Sequence, residues 1–180
     1  MTTVSPDLDQ WIASPILRVA HRRESSADPE RLWRCAQEVR LRDAGLLGRL
    51  VRWRLPGTPS GLQFGELFRA PPFVVLKDDH ETLMSGLVGR IWTLRRDYPA
   101  LSNGDEFREW SRSGTAKVLF AHWLEPLGDG RCALVSESRV EPVGVQGRLG
   151  VRAVRPLVRA FGHLVGSDGV AAAVRLAESG

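Results

Sequence analysis

Residues 117–141 read as two alternating strands closed by the turn Gly128-Asp129-Gly130. In KVLFAHWLE (117–125), Val118, Phe120, His122 and Leu124 recur at a period of two and share one face. In RCALVSESRVE (131–141), Leu134, Ser136, Ser138 and Val140 share a face, with Glu137 and Arg139 opposite. A Gly-Asp-Gly turn between alternating runs is a hairpin signal, so the two strands pair antiparallel. Such a hairpin commits the middle of the chain to a sheet that needs a cover on its apolar side.

The segments before it extend the sheet. ILRVAHRRESS (16–26) reads as a first strand, and LQFGELFRA (62–70), FVVLKDD (73–79) and LMSGLVGRIWTL (83–94) as further strands in a meander joined by short turns. Gly86 and Gly89 interrupt the last of these. They are an odd number of residues apart and therefore point to opposite faces, which predicts a strand that coils sharply and bends the sheet, with Trp92 packed at its end.

Helical signals bracket the sheet. Asp28 is placed as an N-cap with Pro29 at the first helical position, and Leu32, Cys35, Ala36 and Val39 follow at i, i+3, i+4, i+7. AGLLGRLVRWRL (44–55) predicts a second helix, ended by PGTPSG, and residues 106–110 a short one. Beyond Pro142 the period becomes helical, with Leu149, Ala153, Leu157, Ala160, Phe161 and Leu164 as the expected buried stripe. Arg148, Arg152, Arg155 and Arg159 fall on a different face. Pro156 predicts a kink or a new start, and GSDG (166–169) a break before a last short helix.

One strand, helices, antiparallel strands and a C-terminal helix make an α+β protein. Its 180 residues, 43% apolar and 26% charged, suit a single globular domain over residues 15–180, with residues 1–14 as an arm. No apolar run approaches the roughly 20 residues a membrane helix needs. MTTVSPDLDQWIASP lacks the basic start and apolar core of a signal peptide, so the expected location is cytoplasmic. Cys35 and Cys132 have no metal-site spacing and read as buried free thiols. The net charge is +4, yet Lys77 and Lys117 are the only lysines among 25 basic residues, a bias that a GC-rich genome also produces.

No P-loop, dinucleotide fingerprint, Ser-His-Asp arrangement or HExxH motif occurs, and no cofactor is expected. KDDHE (77–81) crowds acidic residues and His80, but four neighbours on one turn cannot all face one ion, so it reads as a solvated turn and no metal is expected. Glu137 and Arg139 suit a cross-strand ion-pair ladder. The arginine stripe suits a solvated helix face, and no aromatic-interleaved basic patch points to nucleic acid. Of Trp33, Trp53, Trp92, Trp110 and Trp123, most read as packing residues, with Trp92 kept as a pocket candidate. His122, whose imidazole titrates near neutral pH, is the candidate acid, base or orienting group.

The element order, with LRDAGLLGRLVRWRLPG, GLVGRIW, FREWSRSGTAKVLF and ESRVEP, resembles the START-like (SRPBCC) superfamily of polyketide cyclases and lipid-transfer domains. Within it the chain resembles a bacterial branch with G-x-x-G-x-x-W and Glu-x-Arg-Val, here Gly86, Gly89, Trp92 and Glu137, Arg139, Val140. The likeness runs from about residue 15 to 178. It implies a helix-grip fold, a curved antiparallel sheet wrapped around a long C-terminal helix, holding a small hydrophobic or aromatic molecule between them. The implied lining is Phe120, His122, Leu134, Ser136, Ser138, Trp92, Leu157 and Phe161, with no catalytic residue assigned. Gly147, Gly150 and Gly162 depart from the bulky residues expected on that helix. Two other readings stand beside ligand binding: a polyketide cyclase or aromatase using His122, and an interaction module, as monomer or homodimer.

Overall fold

The computed structural model describes residues 5–179 apart from Pro56, Leu94 and Arg96; side-chain placement is described for all of these except 46, 47, 50, 54, 128 and 157–166. The elements are β1 (Leu17–Ser25), α1 (Pro29–Glu38), α2 (Gly45–Arg54), α3 (Phe64–Leu67), β2 (Val74–Asp78), β3 (Thr82–Gly89), α4 (Gly104–Glu109), β4 (Thr115–Gly128), β5 (Arg131–Val143) and α5 (Gly144–Glu178). The five strands form one antiparallel sheet in the order β1-β5-β4-β3-β2. This is the α+β, helix-grip arrangement expected from the order of elements.

α1 starts where its cap signals place it. The Asp28 carboxylate accepts the Arg31 backbone N–H at 3.1 Å, Pro29 occupies the first turn, and Leu32, Cys35 and Val39 are buried. LQFGELFRA, in contrast, is not a strand. Its centre is the short helix α3, where the Leu67 and Phe68 N–H groups reach the carbonyls of Gln63 and Phe64, and the Glu66 carboxylate accepts the Gln63 N–H. The acidic residue at the third helical position closes the turn, and that local signal outweighs the apolar alternation.

α5 also departs from expectation: it runs unbroken from Gly144 to Glu178, through Pro156 and through Gly166-Ser167-Asp168-Gly169. Two glycines cost a helix about 2 kcal/mol. Past them the helix buries Val170, Ala171, Ala172, Ala173, Val174 and Ala177, and α1 and α2 pack on it. That burial outweighs the local cost. The buried face of α5 differs as well. Leu149 is 61% exposed and Ala153 is exposed, whereas Gly147 and Val151 are buried. Small residues face the sheet because the sheet comes close. A Cβ on Gly147 would strike the Thr115 carbonyl oxygen, and one on Gly150 would overlap the Trp92 indole.

The two glycines of β3 have the same kind of cause. A Cβ on Gly86 would stand 2.5 Å from the Phe107 ring on one face, and one on Gly89 would stand 2.7 Å from Tyr98 on the other. Gly89 also takes a φ of +147°, which side-chain-bearing residues avoid. Their role is to admit rings on opposite faces.

The inner face of the sheet packs on α1 and α5. Its outer face is covered by residues 8–12 and by α4, through Leu8, Trp11, Ile12 and Phe107 against Met84, Val88, Leu119, Ala121, Trp123 and Val135. With cover on both sides, every residue of β3 is buried.

Candidate functional site

The strand register sorts the inner face into rows. Leu17, Val140, Val118 and Leu87 form one row across β1, β5, β4 and β3. The next is Val19, Ser138, Phe120 and Ser85, then His21, Ser136, His122 and Leu83, and then Arg23, Leu134 and Leu124. The first row is fully buried, in one apolar cluster with Val151 of α5. In the last row, Leu134 and Leu124 are buried with Val170, Ala173 and Val174 of α5. Between these seals, Val19, Ser138, Phe120, His21, Ser136 and His122 all keep accessible surface. The accessible surface in these two rows is thus confined to positions on β1, β5 and β4, whereas Ser85 and Leu83 on β3 are buried.

Those rows have an aromatic side and a polar side. On the side of β2, Phe68 follows α3 and lies 5.3 Å, centroid to centroid, from both Phe73 and Phe120 and 4.9 Å from the His122 ring. Phe73 meets Phe120 edge-on at 5.7 Å. Towards β1 stand the Ser136 and Ser138 hydroxyls and His21. The Ser85 hydroxyl is consumed internally, donating to the Phe68 carbonyl at 2.6 Å. His122 differs: its Nε2 is buried and has no hydrogen-bond partner. Burial pushes the imidazole down to a pKa of about 4, so it is neutral at physiological pH.

No family model matches the chain, and no curated protein matches it. Among solved structures, a hypothetical protein from Helicobacter pylori superposes with a TM-score of 0.44 at 13% identity, covering 98% of this chain and 99% of its own. Norcoclaurine synthase from Thalictrum flavum superposes with a TM-score of 0.38 at 14% identity, covering 98% and 94%. A protein from Thermus thermophilus gives 0.36 at 11%, covering 91% and 98%.

Of the lining residues named from sequence, Phe120, His122, Ser136 and Ser138 lie together in the middle rows. Leu134 belongs to the seal at one end. Trp92 belongs to the other end, half-buried against Gly150. Leu157 and Phe161 lie on α5 outside the residues with described side chains. Sequence reasoning missed Val19, His21, Phe68 and Phe73. The alternation in β1 places Leu17, Val19 and His21 on one face and was a usable signal. Phe68 was hidden by reading its helix as a strand.

The charged residues sit elsewhere. Glu137 and Arg139 are buried on the outer face, with Arg139 Nε donating to Glu137 at 2.6 Å and Arg18 donating to the other Glu137 oxygen at 2.8 Å. Arg139 also donates to Asp9 and to the Ile12 carbonyl, which ties residues 9–12 to the sheet. Nearby, Lys117 lies 5.2 Å from the centre of the Phe107 ring, and its ammonium reaches the carbonyls of Trp11 and Arg108. This network is wider than the ladder expected from spacing, and it fastens the N-terminal residues. KDDHE spans the β2–β3 turn, where Lys77 pairs with Asp79 at 2.9 Å. No helix among the described residues is long and apolar enough to cross a membrane.

Proposed function

We propose that this protein binds a small hydrophobic or aromatic molecule between the sheet and α5. One observation carries the reading: in two middle rows of the inner face the residues of β1, β5 and β4 keep accessible surface, while the apolar residues of the rows on either side are buried. A ligand pocket is mostly apolar with a few placed polar groups, and Phe68, Phe73 and Phe120 beside Ser136, Ser138 and His122 have that composition. The START-like resemblance of the sequence points the same way. His122 has no acidic partner among the described residues, so its role here is to line and orient the bound molecule.

Native mass spectrometry of the purified protein, followed by solvent extraction, tests the proposal. The expected result is an adduct that dissociates on denaturation and a small apolar compound in the extract. A crystal structure with a solid, fully packed interior in the middle rows would overturn it.

A further inference from the structure

We infer that the molecule held in this site is electrically neutral and carries a hydroxyl group, which His122 and Ser136 take as donor and acceptor, while its aromatic or apolar body lies on Phe68, Phe73 and Phe120. The inference rests on the cavity proposed above and adds the chemistry of what fills it.

The first ground is the segregation of charge across the sheet. Lys117, Glu137, Arg139 and Arg18 all occupy the outer face, where they are paired. On the inner face, the middle rows hold only serine, histidine and apolar residues. The charged groups in line with them stand at the sheet ends: Arg23 is exposed, and Asp78 is held by Arg69 at 2.7 and 2.8 Å. A carboxylate or ammonium brought into these rows meets no counter-charge among the described residues, and burying an unpaired charge is heavily penalised.

The second ground is the state of His122. Its ring lies 4.9 Å from that of Phe68 at a tilt of 47°, and its Nε2 is buried without a hydrogen-bond partner. Ser136 stands directly opposite on β5, and His21 is the next residue along the row on β1. A neutral imidazole has one N–H and one bare nitrogen, and a serine hydroxyl both donates and accepts. A ligand hydroxyl does both as well, so it satisfies either orientation of the ring. A plain hydrocarbon leaves the buried nitrogen unpaired, which a native interior rarely tolerates. Phe68 and Phe73 lie beyond β4 on the side of β2, away from Ser136 on β5, so the bound molecule is polar at the β1–β5 side and apolar at the β2 side.

Ligand-observed NMR titration at pH 7.5 with naphthalene, 2-naphthol and 2-naphthoate tests this. The three share one ring system and differ in the group offered to His122. The expected order has 2-naphthol about tenfold tighter than either of the others, the ratio one good hydrogen bond supplies. His122→Phe is expected to erase the advantage of 2-naphthol over naphthalene, bringing their affinity ratio to about one. Ser136→Ala, a smaller change, is expected to reduce the same ratio and covers the case in which the His122 variant does not fold. Equal binding of naphthalene and 2-naphthol by the unaltered protein, or tighter binding of 2-naphthoate, would overturn the inference and leave the cavity standing. Failure of all three to bind would overturn the cavity reading itself.

Discussion

Gly150 of α5 lies directly under the indole of Trp92, with no room between them for a side chain. The helix descends onto the segment after β3 at this point, and Val151 next to it is completely buried. The glycine is therefore a packing residue, held in a helix against its own propensity.

That relationship predicts a change of sign. In the natural protein Gly150→Ala adds a methyl group where the ring already sits, and overpacking of this kind costs about 1–3 kcal/mol. In a Trp92→Ala background the clash is gone, and the same substitution gains the helix propensity of alanine, about 1 kcal/mol. Urea denaturation of the four proteins of this double-mutant cycle checks it, and additivity within error would refute the contact.

Arg139 and Glu137 predict how firmly the N-terminal residues are held. Arg139→Ala leaves Glu137 buried with only the exposed Arg18 to pair it, and frees Asp9 and Ile12. The expected loss is about 2–3 kcal/mol, below the full cost of orphaning a buried charge because Arg18 remains. Amide hydrogen exchange at residues 8–12 should accelerate well before the sheet opens. Unchanged protection there would show that Leu8, Trp11 and Ile12 hold the segment without the ion pairs.

His122 predicts an acid-labile fold. Its folded pKa of about 4 lies below the ordinary 6.5, so as pH falls from 6.5 the unfolded chain takes up a proton that the folded protein refuses. Its contribution to stability is complete above pH 6.5, is lost progressively down to pH 4, and changes no further below that. About two and a half units correspond to about 3 kcal/mol. Chemical denaturation of the protein and of His122→Phe across pH 4–7 should differ in slope over this window, with the variant flatter. Parallel curves would mean that the imidazole titrates in the folded protein as it does in the unfolded chain.

Ser136 predicts that the middle rows can be closed. Ser136→Leu places an apolar side chain between His21 and His122, where accessible surface remains. The fold should survive, since space is filled rather than created, and binding of naphthalene-sized probes should weaken by at least about tenfold. Retained binding in a folded variant would place the ligand away from these rows.

The sequence by itself determined β1 to β5 and the faces of β4 and β5, but not the helix within LQFGELFRA. Period-two alternation in residues 117–141 placed Phe120, His122, Ser136 and Ser138 on one face, because in a strand the side a residue takes depends only on its parity. The caps at Asp28 and Pro29 did the same for α1, where the signal lies within a few residues of its effect. What lies across space was decided by the tertiary structure alone. The continuity of α5 through Pro156 and the Gly166–Gly169 stretch depends on burial against α1 and α2, which no local rule contains. The glycines at 86, 89, 147 and 150 are explained by Phe107, Tyr98, Thr115 and Trp92, partners remote in the chain or set by the turn between elements. The burial of Leu17, Val118 and Val140 at one end and of Leu124 and Leu134 at the other likewise emerges only when Val151 and Val170 of α5 close on rows that the chain assembles from several strands.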